Sequence, residues 1–106
     1  MKARAVTHFR TRAGSRVLVE SSDDLPLVGV GLTLCTGSAS DPPGKEGLAR
    51  LAARSLRMGT RDLTARALEE AIDGLGAQLS ISTGTNYVHL GGTVVEHNVE
   101  AFVEIL

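Results

Sequence analysis

Three arginines on one predicted helix are the residues whose types and spacing could do chemistry. Arg50, Arg54 and Arg57 recur at i, i+4 and i+7, so they share one helix face. A guanidinium stays protonated and offers only donors, so it can bind carboxylates through a two-pronged fork but cannot ligate a cation. Three interpretations are open: a solvated face, a pair between Arg50 or Arg54 and a carboxylate of the protein, or contact with an acidic peptide or partner.

The histidines and the lone cysteine lack the spacing of a site. His8, His89 and His97 are scattered over predicted strands and a loop, so we interpret each as structural. Cys35 falls at the end of a predicted buried strand, where a small core residue is commoner than a nucleophile. These residues therefore predict no metal site.

The periodicity of apolar residues predicts the elements that must position the arginines; the period is two residues in strands and 3.6 residues in helices. The predicted elements are strands over 4–10, 16–20 and 27–36, helices over 47–58 and 64–74, strands over 77–83 and 86–95 joined by a turn at Gly84-Thr85, and a helix over 98–106. Hairpin-type links between strands predict an α+β fold with a largely antiparallel sheet and helices packed on one face.

The helices carry apolar stripes that we expect to be buried. The first stripe comprises Leu48, Leu51, Ala52 and Leu56, and the second comprises Leu68, Ala71, Ile72 and Leu75. Thr64 is the predicted N-cap of the second helix. The last helix is still apolar at Leu106, where the sequence stops, so we expect residues 1–106 to be a single partial domain, the N-terminal segment of a longer one.

Composition excludes several classes of function. The 106 residues have a formal net charge of −1 and 3% aromatic residues, which argues against nucleic-acid binding. Apolar runs are shorter than the roughly 20 residues that span a bilayer, and the N-terminus has no signal-peptide core. The compartment stays open between cytoplasm and periplasm. Arginine greatly outnumbers lysine, an association with GC-rich bacterial genomes.

The first helix and its surroundings resemble a peptidase family. Residues 47–60 read GLARLAARSLRMGT, which is similar to the G-L-A-H-x-x-E-H-x-x-x-x-G-T helix of the insulinase/pitrilysin family. Further similarities lie in the hairpin GSRVLVE of residues 14–20, in Gly37-Ser38, and around residues 68–77. The resemblance covers residues 9–106 and implies the half-domain fold of these metallopeptidases.

The departures from this motif fall on its chemical positions. In the family, the two His bind zinc and the Glu is the general base toward the metal-bound water. Here Arg50, Ala53 and Arg54 stand at those positions, and the family's third ligand, a Glu, would lie beyond Leu106. The resemblance therefore implies that this chain binds no zinc and has no catalytic residue of its own. Zinc is expected only in an active partner.

The family also implies a role for a domain without the metal. Many members are two homologous halves or subunits around a chamber, of which one keeps the zinc, as in the mitochondrial processing peptidase. We therefore expect a non-catalytic, peptidase-like domain that pairs with an active homologous subunit as a heterodimer and helps to hold an extended peptide substrate. The expected substrate strand is Ser80, Ile81, Ser82 and Thr83, as an edge open to β-addition or as a strand paired within the sheet.

Two other functions remain open at this point. One is a metal-free peptide-binding or scaffold protein that works without a catalytic partner. The other is an active zinc-dependent metalloendopeptidase with displaced ligands.

Overall fold

The computed structural model describes residues 5–106, and their elements follow the predicted order. The elements are β1 Val6–Arg10, β2 Arg16–Glu20, β3 Leu27–Leu34, α1 Leu48–Ser55, α2 Ala65–Gly74, β4 Gln78–Thr83, β5 Val88–Val95 and α3 Val99–Ile105. Each predicted helix and strand is present: β2 has the predicted bounds, and the other elements are shorter than predicted. The predicted start of the first strand at Arg4 lies outside the described residues.

Every strand pairing between described residues is antiparallel. β1 and β2 form a two-stranded hairpin, while β3, β5 and β4 form a three-stranded sheet in that order. The register of the sheet sets Leu32 opposite Leu90 and Ile81 opposite Leu90, so these side chains share one face. The α+β class with an antiparallel sheet is confirmed.

The helices cover the apolar face of this sheet, and α2 and α3 cover it most completely. We call Leu68, Ile72, Ala77, Val94 and Phe102 the large cluster; they are fully or almost fully buried. Burial of one such large side chain contributes about 1.5–3 kcal/mol. The Thr64 hydroxyl accepts a hydrogen bond from Ala67 N at 3.1 Å, which confirms the predicted N-cap of α2.

α1 packs on the sheet through a face other than the predicted one. The expected leucine stripe is exposed, with Leu51 64% accessible, whereas Ala53 is buried and Ala49 half-buried. Ala53 packs with Val88 and Leu90, and we call these three residues the small cluster. The prediction was wrong because the short side chains of Ala49 and Ala53, one turn apart, give α1 its contact with the sheet.

The connection between β4 and β5 is longer than the predicted Gly84-Thr85 turn. It comprises residues 84–87, closed by a hydrogen bond from Gly84 N to Tyr87 O at 2.8 Å. The Gly84 and Thr85 carbonyls also accept hydrogen bonds from Ser38 N and Ala39 N, so the loop is shaped by the chain that follows β3. Gly37, the residue before Ser38, lies against this loop. A Cβ at Gly37 would overlap Gly84 O, so only glycine allows the two segments to come this close.

Cys35, predicted to be a core residue, is exposed, because it follows the end of the outer strand β3.

Within residues 5–106, no helix has the length and apolar character that a membrane span requires.

Candidate functional site

The replaced motif positions lie beside β4, at a shared cavity. This cavity of about 490 Å³ is lined by Ser38, Arg50, Ala53, Arg54, Ile81, Ser82 and Thr83. The structure therefore brings the three motif positions together with three of the four predicted substrate-strand residues. Ser80 is the exception: its hydroxyl donates to Gly91 O at 3.2 Å, and it does not line the cavity.

Carboxylates in the preceding loop hold the start of α1. Asp41 accepts hydrogen bonds from Gly47 N and Ala49 N, both at 2.9 Å, so a negative charge caps the N-terminal end of the helix. Glu46 accepts from Gly44 N at 3.1 Å, and its own backbone N–H and that of Gly44 hold the pKa of Glu46 below its ordinary value. Sequence reasoning missed Asp41, because it lies six residues before Gly47 and outside the usual N-cap position.

Arg57 joins the end of α1 to α2 and β4. Its Nε and Nη2 atoms donate to the Glu69 carboxylate at 2.8–3.1 Å, and its Nη1 donates to Leu79 O at 2.8 Å. This geometry is the bidentate fork that guanidinium and carboxylate form best. Arg57 is therefore bound within the fold rather than left on a solvated arginine face, and it is a structural residue.

Arg50 and Arg54 differ from Arg57 in having no partner among residues 5–106. Both side chains are exposed, and neither makes a hydrogen bond or ion pair with a described residue. The cavity lining holds their two positive charges and no acidic residue. Like charges one helical turn apart repel slightly, so the bare pair favours a nearby anion.

β4 is an edge of the three-stranded sheet, since it pairs with β5 alone among the described strands. Gly84 and Tyr87 form a hydrogen-bonded pair, and such pairs alternate along antiparallel strands. The backbone N–H and C=O groups of Ile81 and Thr83 therefore point away from β5, as does Leu79 O, which Arg57 binds. The two outer residues beside the cavity are thus oriented to pair with a further strand.

The residues at the motif positions do not fit a zinc ion. Two guanidiniums cannot donate a lone pair to a metal, and a methyl group cannot accept a proton. No group of three His, Cys, Asp or Glu side chains within the described part of the chain is arranged to hold a metal ion. No metal-dependent step can be assigned to Arg50, Ala53 and Arg54.

A curated relative from Bacillus subtilis, named uncharacterized zinc protease YmxG, is 22% identical over 101 residues, covering 95% of this chain and 25% of that protein. This chain thus spans about a quarter of the length of that relative.

Solved structures with the same fold include three peptidase chains. The peptidase M16 inactive domain from Pseudomonas fluorescens superposes with a TM-score of 0.88 at 21% identity, covering 95% of this chain and 25% of its own. A protease from Helicobacter pylori gives 0.87 at 17% identity, covering 97% and 25% of the two chains. Pitrilysin gives 0.86 at 23% identity, covering 98% of this chain and 11% of its own.

The sequence profile described as Insulinase (Peptidase family M16) matches residues 16–106, a range that contains α1, β4 and the whole cavity. The family predicted from the motif is therefore confirmed. The chain belongs to the insulinase family of peptidases.

Proposed function

We propose that this chain is part of a catalytically inactive peptidase-family protein that holds an extended peptide and forms a chamber with an active homologous subunit. The observation that carries the proposal is the outward-facing backbone of Ile81 and Thr83 beside the replaced motif positions of α1. A peptide can bind there as an added strand, and no residue at the motif positions can cleave it.

The retained frame supports this role. α1, its flanking Gly47 and Gly59, and β4 are present in the order of the family's motif helix and the strand after it, while the three chemical positions differ in type. A kept frame with lost chemistry therefore favours a binding role in an assembly.

The edge of β4 supports peptide binding at a defined place. Leu79 O already accepts a hydrogen bond from Arg57, so pairing with a peptide begins at Ile81 and continues at Thr83. β-Addition obtains its affinity from backbone hydrogen bonds and its specificity from pockets at alternate side chains. The cavity beside Arg50 and Arg54 is such a pocket.

The partner follows from the missing chemistry. A P. fluorescens relative of the same fold is described as an inactive domain, and a B. subtilis relative is named a zinc protease. We propose that hydrolysis is performed by a homologous subunit with an intact H-x-x-E-H helix, which supplies the zinc. This chain contributes the surface that orients the peptide.

The edge strand can be tested with one matched pair of variants. Thr83→Pro removes the outward N–H and places a ring at the edge, whereas Thr83→Ala keeps the N–H. We expect Thr83→Pro to bind a fluorescent unfolded peptide about tenfold more weakly than Thr83→Ala does, the loss of about one net backbone hydrogen bond. Fluorescence anisotropy measures both.

Equal binding by the two variants would contradict addition at this edge. The partner role is tested separately by mixing the protein with an intact H-x-x-E-H homologue from the same genome. We expect co-elution in size-exclusion chromatography and faster peptide hydrolysis in the mixture than with the homologue alone. Independent elution with unchanged hydrolysis would contradict the partner role.

A further inference from the structure

We infer that Arg50 and Arg54 form a carboxylate-binding site that selects peptides carrying an acidic group next to the segment paired with β4. This inference rests on the proposed function and adds the class of peptide that the site takes. It concerns two guanidiniums that line the cavity and have no partner among residues 5–106.

Some arginines of the helical region are paired with a carboxylate of the protein, and others are not. Arg57 is bound to Glu69 and Arg66 to Glu70, so these two already have carboxylates. Arg50 and Arg54 contact no carboxylate within residues 5–106, and both line the cavity. Their forks are free to bind a carboxylate that arrives with a ligand.

The strand geometry directs a particular side chain of the peptide to these arginines. Leu79, Ile81 and Thr83 turn their side chains to the helix-covered face of the sheet, and Ile81 and Thr83 line the cavity with Arg50 and Arg54. Residues directly opposite each other on neighbouring strands share a face. A peptide residue opposite Ile81 or Thr83 therefore points to the helix side, toward the two guanidiniums.

The cavity has room for an acidic side chain, and its lining suits a carboxylate. Its volume of about 490 Å³ exceeds that of any one side chain. Besides the two guanidiniums, the hydroxyl groups of Ser38 and Thr83 line it and can donate hydrogen bonds. No acidic residue lines it that would repel a carboxylate. A carboxylate can come from Asp or Glu within the peptide or from its C-terminus, and both present the same two oxygens to the forks.

The test uses four fluorescent peptides of one sequence and the full-length protein. Two peptides carry Glu at the central position and two carry Gln, each with a free or an amidated C-terminus. We expect an internal Glu, or else a free C-terminus, to raise affinity about 10- to 100-fold over the Gln amide peptide, the effect of hydrogen bonds to a charged group. The change that raises the affinity, Gln to Glu or amide to free C-terminus, identifies the source of the carboxylate.

Variants of the two arginines complete the test. The double variant Arg50→Gln and Arg54→Gln should abolish the preference, so that the Glu and Gln peptides bind it with equal affinity. Arg61→Gln, an exposed arginine outside the cavity, is the matched control and should keep the preference. The preference should also fall as salt is raised.

The outcomes separate this inference from the proposed function. If all four peptides bind equally and Thr83→Pro still weakens them, the carboxylate site is wrong and the edge strand stands. If the double variant lowers the melting temperature and keeps the acidic preference, the arginines serve a carboxylate of the protein itself, and the inference is overturned. If no peptide binds, both proposals fail.

Discussion

The two apolar clusters beneath the helices differ in how completely the helices bury them. In the large cluster, Phe102 and Val94 are 0% exposed, and α2 and α3 close over them. In the small cluster, Ala53 is the only buried residue that α1 contributes, and its neighbours Leu48 and Leu56 stay 45% and 47% exposed. One end of the sheet is thus a packed core, and the other is a thin contact beside an open cavity.

The difference separates the part of the fold that carries stability from the part that we propose binds peptide. The large cluster fixes the sheet, and with it the position of β4. α1 is attached through small side chains and the Arg57–Glu69 pair, which leaves the cavity and the edge of β4 accessible. Changes in the large cluster should therefore alter stability most, and changes at the cavity should alter peptide binding with little effect on stability.

The largest expected effect is at the centre of the large cluster. Phe102→Ala removes a fully buried ring and leaves a cavity, so we expect a loss of about 3–5 kcal/mol in the free energy of unfolding. Val103→Ala is the control on the exposed side of α3 and should stay within about 0.5 kcal/mol of the parent. Urea denaturation followed by circular dichroism measures both, and equal effects would show that the large cluster is not the core.

The next effect tests the face that α1 buries. Ala53→Leu forces extra volume against Val88 and Leu90 and should cost about 1–3 kcal/mol of unfolding free energy. Ala52→Leu lies on the exposed side of the same helix and should change stability by less than about 0.5 kcal/mol. The same denaturation experiment decides: a larger loss for Ala52→Leu would mean that α1 packs through its leucine stripe.

A smaller effect is expected at the ion pair that fixes the end of α1. Arg57→Ala removes the contacts with Glu69 and Leu79 O, and the pair is 38% and 46% exposed, so solvent screening limits the loss to about 1 kcal/mol. Arg66→Ala removes a more exposed i, i+4 pair and should cost about 0.3–0.5 kcal/mol. Thermal unfolding at low salt compares them, and an Arg66 effect that matches or exceeds the Arg57 effect would contradict the structural role of Arg57.

Features encoded locally could be predicted from the sequence. α2 has its cap at Thr64 and a buried stripe at Leu68 and Ile72, all determined within one helix, and each prediction is confirmed. The motif helix and its family could be identified in the same way, because residues 47–60 keep the spacing of the family's helix.

Features that depend on distant residues could not be predicted. α1 offers both a leucine stripe and an alanine stripe, and only its packing against the sheet decides that Ala53 is buried. Arg57 meets Glu69, twelve residues away on another helix, so no rule of helical spacing indicates the pair. The outer position of β4 depends on the strand order β3-β5-β4, which the sequence left open.

The most direct test of the central claim is the metal content and peptidase activity of the purified full-length protein without any homologue. Inductively coupled plasma mass spectrometry measures zinc, and a quenched fluorescent peptide reports hydrolysis, with an intact H-x-x-E-H homologue as positive control. Because Arg50, Ala53 and Arg54 supply neither ligand nor base, we expect far less than stoichiometric zinc and no hydrolysis above background. Stoichiometric zinc together with hydrolysis by this single chain would contradict the account.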